Sequence, residues 1–97
     1  MKVFAVEYSY SPSSEKIAEI RPVHREFLGD LKQQGKLIGS GPYTDGEGGA
    51  LILIALEDEA RIDDARALMD RDPFYTGGAL ESRSFKTWNP VLNVFDI

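Results

Sequence analysis

Apolar and polar positions alternate from the start of the chain. Lys2–Tyr8 reads as a strand with Phe4, Val6 and Tyr8 on one face, Val3 and Ala5 on the other, and Glu7 near its end. Ser9–Ser14 is a loop containing Pro12, and Glu15–Ile20 forms at most a helical turn. Pro22 biases Arg21 away from helical geometry and suits a first helical position, so a helix is expected from Pro22 to about Gln34. Its face comprises Val23, Phe27, Leu28 and Leu31, and Gly35 ends it. Lys36–Tyr43 reads as a strand, placed at a sheet edge by Gly39, Gly41 and Pro42. After a Thr44–Gly49 turn, Ala50–Leu56 is a continuous apolar strand. A second helix is expected from about Asp58 to Asp70, with Asp58 as N-cap and Ala60 or Ile62, Ala65, Leu68 and Met69 inward. Asp72-Pro73 ends it, Gly77-Gly78 turns the chain, and Leu80–Trp88 is the last strand. Residues 89–97 form a tail containing Val91, Leu92, Val94, Phe95 and Ile97.

The order is β-α-β-β-α-β, which predicts an α+β, ferredoxin-like antiparallel sheet with the first and third strands at its centre. Those are the two strands that read as apolar on both faces. Both helices cover one face of such a sheet, so Leu51 to Ile54 leave apolar side chains on the other. The simplest cover for that face is the same face of a second copy, giving a homodimer of back-to-back sheets.

Composition narrows the function classes. The 97 residues suit one domain, 1–97. A net charge of −5 with scattered basic residues argues against nucleic acid and against an anionic membrane surface. With no cysteine, thiol catalysis, disulfides and cysteine-type metal sites are excluded. The N-terminus runs straight into a strand pattern, with no signal-peptide core and no apolar span of bilayer length, so a cytoplasmic location is expected.

The topology gathers polar residues at one rim of the sheet. It places Arg21 and His24 at the start of the first helix and Asp72 at the end of the second. It also places Ser40 late in the second strand and Tyr8 at the end of the first. His24 is the single histidine. In the first helical turn it would border the apolar face and feel the positive end of the helix dipole. A carboxylate beside it would orient the ring and stabilise its cation, making a general base, and Asp72 is the candidate. On spacing alone, His24 is equally a structural helix-end residue, and Asp72 a turn former that caps backbone amides. Arg21 suits an anionic substrate group or a surface ion pair. Ser40 has no second base nearby and suits hydrogen bonding better than nucleophilic attack. Tyr8, Tyr43, Phe74 and Tyr75 are candidates for an aromatic wall. Asp45-Gly46-Glu47-Gly48 lacks the ligand count of a calcium loop and reads as a hairpin turn. One histidine and no cysteine leave little for a transition metal, and nothing supports a haem, so no metal and no cofactor are expected.

Arg21-Pro22-Val23-His24, Gly35-Lys36-Leu37, Ser40-Gly41-Pro42, Gly48-Gly49 and Asp72-Pro73-Phe74 occur in that order. Over nearly the whole chain this set resembles the YCII-related (YciI-like) family. The resemblance implies a ferredoxin-like fold, assembly as a dimeric α+β barrel and a His–Asp active site, carried here by His24 and Asp72. One branch of the family resembles a dehydrochlorinase of a chlorinated hydroxyquinol. Wider relatives include lactone isomerases and oxygenase-like enzymes. The sequence departs from the family before Arg21 and in a longer tail after Pro90. Together these readings favour a cofactor-independent enzyme performing elimination, isomerisation or hydrolysis on a small metabolite, with aromatic compounds among the candidates. His24 and Asp72 would be its dyad, and Arg21, Ser40, Tyr8 and Phe74 would contact substrate. The alternative is a non-catalytic, small-molecule-binding dimeric module.

Overall fold

A computed structural model describes residues 1–95; Asp96 and Ile97, the latter an apolar tail position above, lie outside the described residues. The elements are β1 (Lys2–Ser9), α1 (Glu15–Gln33), β2 (Leu37–Pro42), β3 (Ala50–Leu56), α2 (Ile62–Met69), α3 (Pro73–Thr76) and β4 (Ser82–Trp88). The sheet is antiparallel in the order β2-β3-β1-β4, a ferredoxin-like arrangement with β1 and β3 central as expected. Phe4, Val6 and Tyr8 of β1 and Ala50, Ile52 and Ile54 of β3 form the sheet side of the core. Ile17, Leu28 and Leu31 of α1 and Ala65 and Met69 of α2 close it from above. On the opposite sheet face, Leu51 and Leu53 remain partly exposed. Among the described residues, no helix is long and apolar enough to cross a membrane.

Three boundaries differ from the sequence expectation. The first helix begins at Glu15, not Pro22, and runs unbroken to Gln33 with Pro22 in its interior. An interior proline removes one helical hydrogen bond and costs about 3 kcal/mol. The helix persists because it is anchored on both sides of that position, by Ile17 before it and His24, Leu28 and Leu31 after it. Its start is capped by Ser14, whose hydroxyl accepts the Ile17 N–H at 3.2 Å. Extending the helix turns Val23 outward, to 47% exposure, and seats His24 on the core face instead. The second helix starts at Ile62, not Asp58. The carboxylate of Asp64 takes the Arg61 backbone N–H at 2.8 Å, which fixes the start there. Pro73–Thr76, expected only as a chain stop, is a short helix of its own.

The β2–β3 turn closes tightly over the end of β1. Gly48 sits at φ 81°, and a Cβ there would lie 2.3 Å from the Tyr10 carbonyl oxygen. Only glycine allows this approach, which brings the turn against the strand end that leads into Tyr10.

Candidate active site

Asp72 is the hub of the rim. It is the N-cap of α3, and its Oδ1 accepts the Phe74 backbone N–H at 2.9 Å. Pro73 occupies the first helical position, where no N–H is needed. The same carboxylate accepts a hydrogen bond from Tyr8 Oη at 2.8 Å and lies 2.9 Å, through both oxygens, from His24 Nδ1. Asp72 is fully enclosed. Every contact to it comes from a donor or a ring nitrogen able to donate, the set an ionised carboxylate takes. The two readings of Asp72 left open by its spacing are therefore both met: it caps a turn of helix and holds the histidine.

His24 is buried in the middle of α1. It does not stand in a first helical turn, so the dipole argument does not apply; that effect is confined to the terminal turn. Its electrostatic partner is Asp72. Because Nδ1 faces an acceptor-only carboxylate, the ring proton is assigned to Nδ1, leaving Nε2 as the basic nitrogen. Phe74 stacks on the imidazole with ring centroids 3.8 Å apart and planes 10° from parallel. That contact fixes the ring plane, and the aromatic face also suits the imidazolium formed when Nε2 takes a proton.

Tyr8 closes the network from the sheet. Burial, reinforced by the charge of Asp72 and the hydrogen bond to it, raises its phenol well above its ordinary value. Tyr8 therefore stays a neutral donor to Asp72. It does not line the cavity and stands behind the imidazole, hydrogen-bonded to Asp72. Arg83 steadies the same region. Its guanidinium lies 3.6 Å from the Tyr75 ring centroid and donates to Asp70 at 2.7 Å, pinning the chain on both sides of Asp72 to β4.

A cavity of about 160 Å³ adjoins His24. Of the expected site residues, Arg21, His24, Ser40 and Phe74 line it; Asp72 and Tyr8 stand behind the imidazole. Tyr43 and Tyr75, expected as aromatic walls, are not part of it. Tyr43 instead donates to Glu7 at 2.8 Å, a bond that raises the Tyr43 phenol above its ordinary value. Two lining residues escaped the sequence reading, Tyr10 and Arg25. The signal for Tyr10 was its parity with Tyr8 just beyond the strand. The signal for Arg25 was its position one helical turn after Arg21. Among the described residues, no group of three or more His, Cys, Asp or Glu is arranged to hold a metal ion.

This geometry can hold an imidazole by Nδ1 beside a small cavity, with its cation stabilised from behind. That is the requirement for proton transfer to and from a bound molecule.

Solved structures that share the fold include the following two. The 5-chloro-2-hydroxyhydroquinone dehydrochlorinase TftG from Burkholderia phenoliruptrix, in complex with 2,5-dihydroxybenzoquinone, aligns with a TM-score of 0.73 at 21% identity, over 90% of this chain and 93% of its own. An antibiotic biosynthesis monooxygenase aligns with a TM-score of 0.59 at 14% identity, over 95% of this chain and 100% of its own. At these identities the likeness establishes architecture. No curated protein matches the sequence. The model of the YCII-related domain matches residues 1–89, and the chain belongs to that family.

Proposed function

We propose that the protein is a cofactor-independent enzyme in which the His24–Asp72 dyad performs general acid–base chemistry on a small aromatic metabolite. The observation that carries this reading is the enclosed Asp72 holding Nδ1 of His24 beside a cavity that His24 itself lines. Nε2 takes a proton from a carbon or oxygen of the substrate. The electron pair left behind expels a leaving group or shifts a double bond, and the imidazolium returns the proton to the leaving group or to another position. Asp72 orients the ring and balances its charge, and Tyr8 holds Asp72. The dehydrochlorinase activity in the name of TftG and its dihydroxybenzoquinone ligand support elimination from a hydroxylated ring as the first chemistry to try.

We further propose that residues 1–97 act as one domain and pair as a homodimer across the sheet face bearing Leu51 and Leu53. Sedimentation equilibrium with a Leu53→Glu variant tests the pairing; a wild-type monomer would refute it.

Catalysis is tested by presenting chlorinated hydroxyhydroquinones and following chloride release and ring absorbance. Wild type should turn over, while His24→Gln and Asp72→Asn should each fall by about 10³-fold or more with the fold retained. Equal rates in wild type and His24→Gln would refute the dyad. Ring binding without turnover in any of a set of halogenated, lactone and ester probes would favour the binding-module reading.

A further inference from the structure

The lining of the cavity is divided by polarity. Its floor is apolar and buried, formed by Leu28, Ile52 and Phe74, whereas Arg21 and Arg25 stand at its mouth. These two arginines are one helical turn apart on the same side of α1 and bracket His24. Like charges at this spacing repel and weaken a helix. Nothing local offsets the repulsion. The other residues three or four positions from the pair are Ile17, Ala18, Pro22, His24, Leu28 and Gly29, and none of the acids of α1, Glu15, Glu19, Glu26 and Asp30, stands at that spacing from either arginine. Among the described residues, neither guanidinium has a carboxylate within 4.0 Å. Among the described residues no carboxylate lines the cavity, and Asp72 behind His24 is fully enclosed with both oxygens engaged. In a chain of net charge −5, the surroundings of the functional imidazole are thus locally cationic.

We infer that the site selects a small planar organic anion, a ring carboxylate or phenolate. Its charge would be held by Arg21 and Arg25 and its ring would lie on the apolar floor. The inference rests on the dyad reading for the chemistry that follows binding, but the charge preference belongs to the arginines alone. The volume of about 160 Å³ matches one six-membered ring with small substituents. A guanidinium pair presents several donors to two oxygens and persists at any working pH. It also stabilises the negative charge that grows on a ring oxygen as Nε2 removes a proton, so the same groups that select an anion favour its reaction.

The test compares benzoate with benzamide, a matched ring differing in charge, by isothermal titration calorimetry near neutral pH. Wild type should bind benzoate at least tenfold more tightly than benzamide, a difference of about 1.4 kcal/mol. Benzoate affinity should fall as sodium chloride rises to about 0.5 M. The Arg21→Gln/Arg25→Gln double variant should lose the preference, its benzoate affinity falling to that for benzamide. Should the double variant fold poorly by circular dichroism, Arg25→Gln alone replaces it, since Arg25 is exposed; it should lose at least half of the preference on a logarithmic scale. His24→Gln should keep the preference. Equal binding of the two probes, binding of neither, or a preference that survives loss of the arginines overturns the inference. A charge preference without turnover of any probe overturns the dyad reading and leaves this one standing; turnover with no charge preference does the reverse.

Discussion

Asp72→Asn isolates the contribution of one charge from the contribution of shape. The amide is isosteric with the carboxylate, so the enclosed site is neither emptied nor overfilled. Its oxygen must stay on the Phe74 N–H, because a backbone amide can only donate. Its NH2 group then faces Tyr8 Oη and His24 Nδ1. The phenol can rotate and accept. Nδ1 lies the same 2.9 Å from both carboxylate oxygens, so the amide sets an N–H group against it beside an oxygen that the Phe74 N–H already engages. Nδ1 can accept that hydrogen only if the ring proton moves to Nε2. The substitution thus reverses the tautomer and leaves a donor, not a base, beside the cavity.

The cost follows from the three contacts. A hydrogen bond to a charged group contributes about 1.5–3 kcal/mol and a neutral one about 0.5–1.5, so three replacements remove about 3 kcal/mol. For a domain of this length that lowers Tm by about 10–20 °C. Catalysis should fall by about 10³- to 10⁴-fold, the scale seen when a histidine base is held in the wrong tautomer. The assay does not need the substrate. His24 is the single histidine, so long-range ¹H–¹⁵N correlation of uniformly labelled protein shows one imidazole. At a pH where the ring is neutral, wild type should carry its proton on Nδ1 and the variant on Nε2. A variant that keeps the Nδ1 proton, or a wild type already protonated on Nε2, would refute the reasoning.

Two further outcomes follow from the same rim. Tyr8 is raised by burial, while an unfolded tyrosine ionises near pH 10. Its contribution is therefore complete below that pH and is lost as pH rises toward its folded value. Urea denaturation should show wild type losing about 1.4 kcal/mol per pH unit more than Tyr8→Phe above about pH 10; parallel losses would remove Tyr8 from the account. Gly48→Ala places a Cβ 2.3 Å from the Tyr10 carbonyl oxygen at φ 81°, whereas Gly46, at φ 92°, faces open space. Both variants carry the backbone cost of about 1–2 kcal/mol, and Gly48→Ala should lose at least about 1 kcal/mol more; equal denaturation midpoints would show that the turn does not bear on Tyr10.

Much of the fold follows from two periodicities. Phe4, Val6 and Tyr8 at period two, and the unbroken apolar run Ala50–Leu56, identify the two strands that the sheet places at its centre. Gly39, Gly41 and Pro42 weaken β2 for interior pairing, and it lies at the edge. The helix starts were less legible because local signals compete there. Asp58 is an acceptable cap by residue type, but Arg61 and Asp64 together supply the hydrogen bond that fixes the start.

Pro22 shows how such a competition changes a functional argument. Taken locally, it starts a helix and puts His24 in the first turn, under the influence of a dipole. Followed through proline, the core stripe is Ile17, His24, Leu28 and Leu31, at separations of seven, four and three. That spacing, with Ser14 available as a cap, was present in the sequence and outweighs one lost hydrogen bond once a sheet lies beneath it. Topology placed His24 and Asp72 at the same rim under either reading, because strand and helix directions do not depend on where a helix begins. What depends on it is the source of the electrostatics. A mid-helix, buried imidazole gains nothing from the helix end, so orientation and charge balance both fall to Asp72, itself held by Tyr8 and the α3 backbone. The same shift brings Arg21 into the helix one turn before Arg25, and both line the cavity beside His24. A helix begun at Pro22 would have left Arg21 in the preceding loop with no fixed relation to the imidazole.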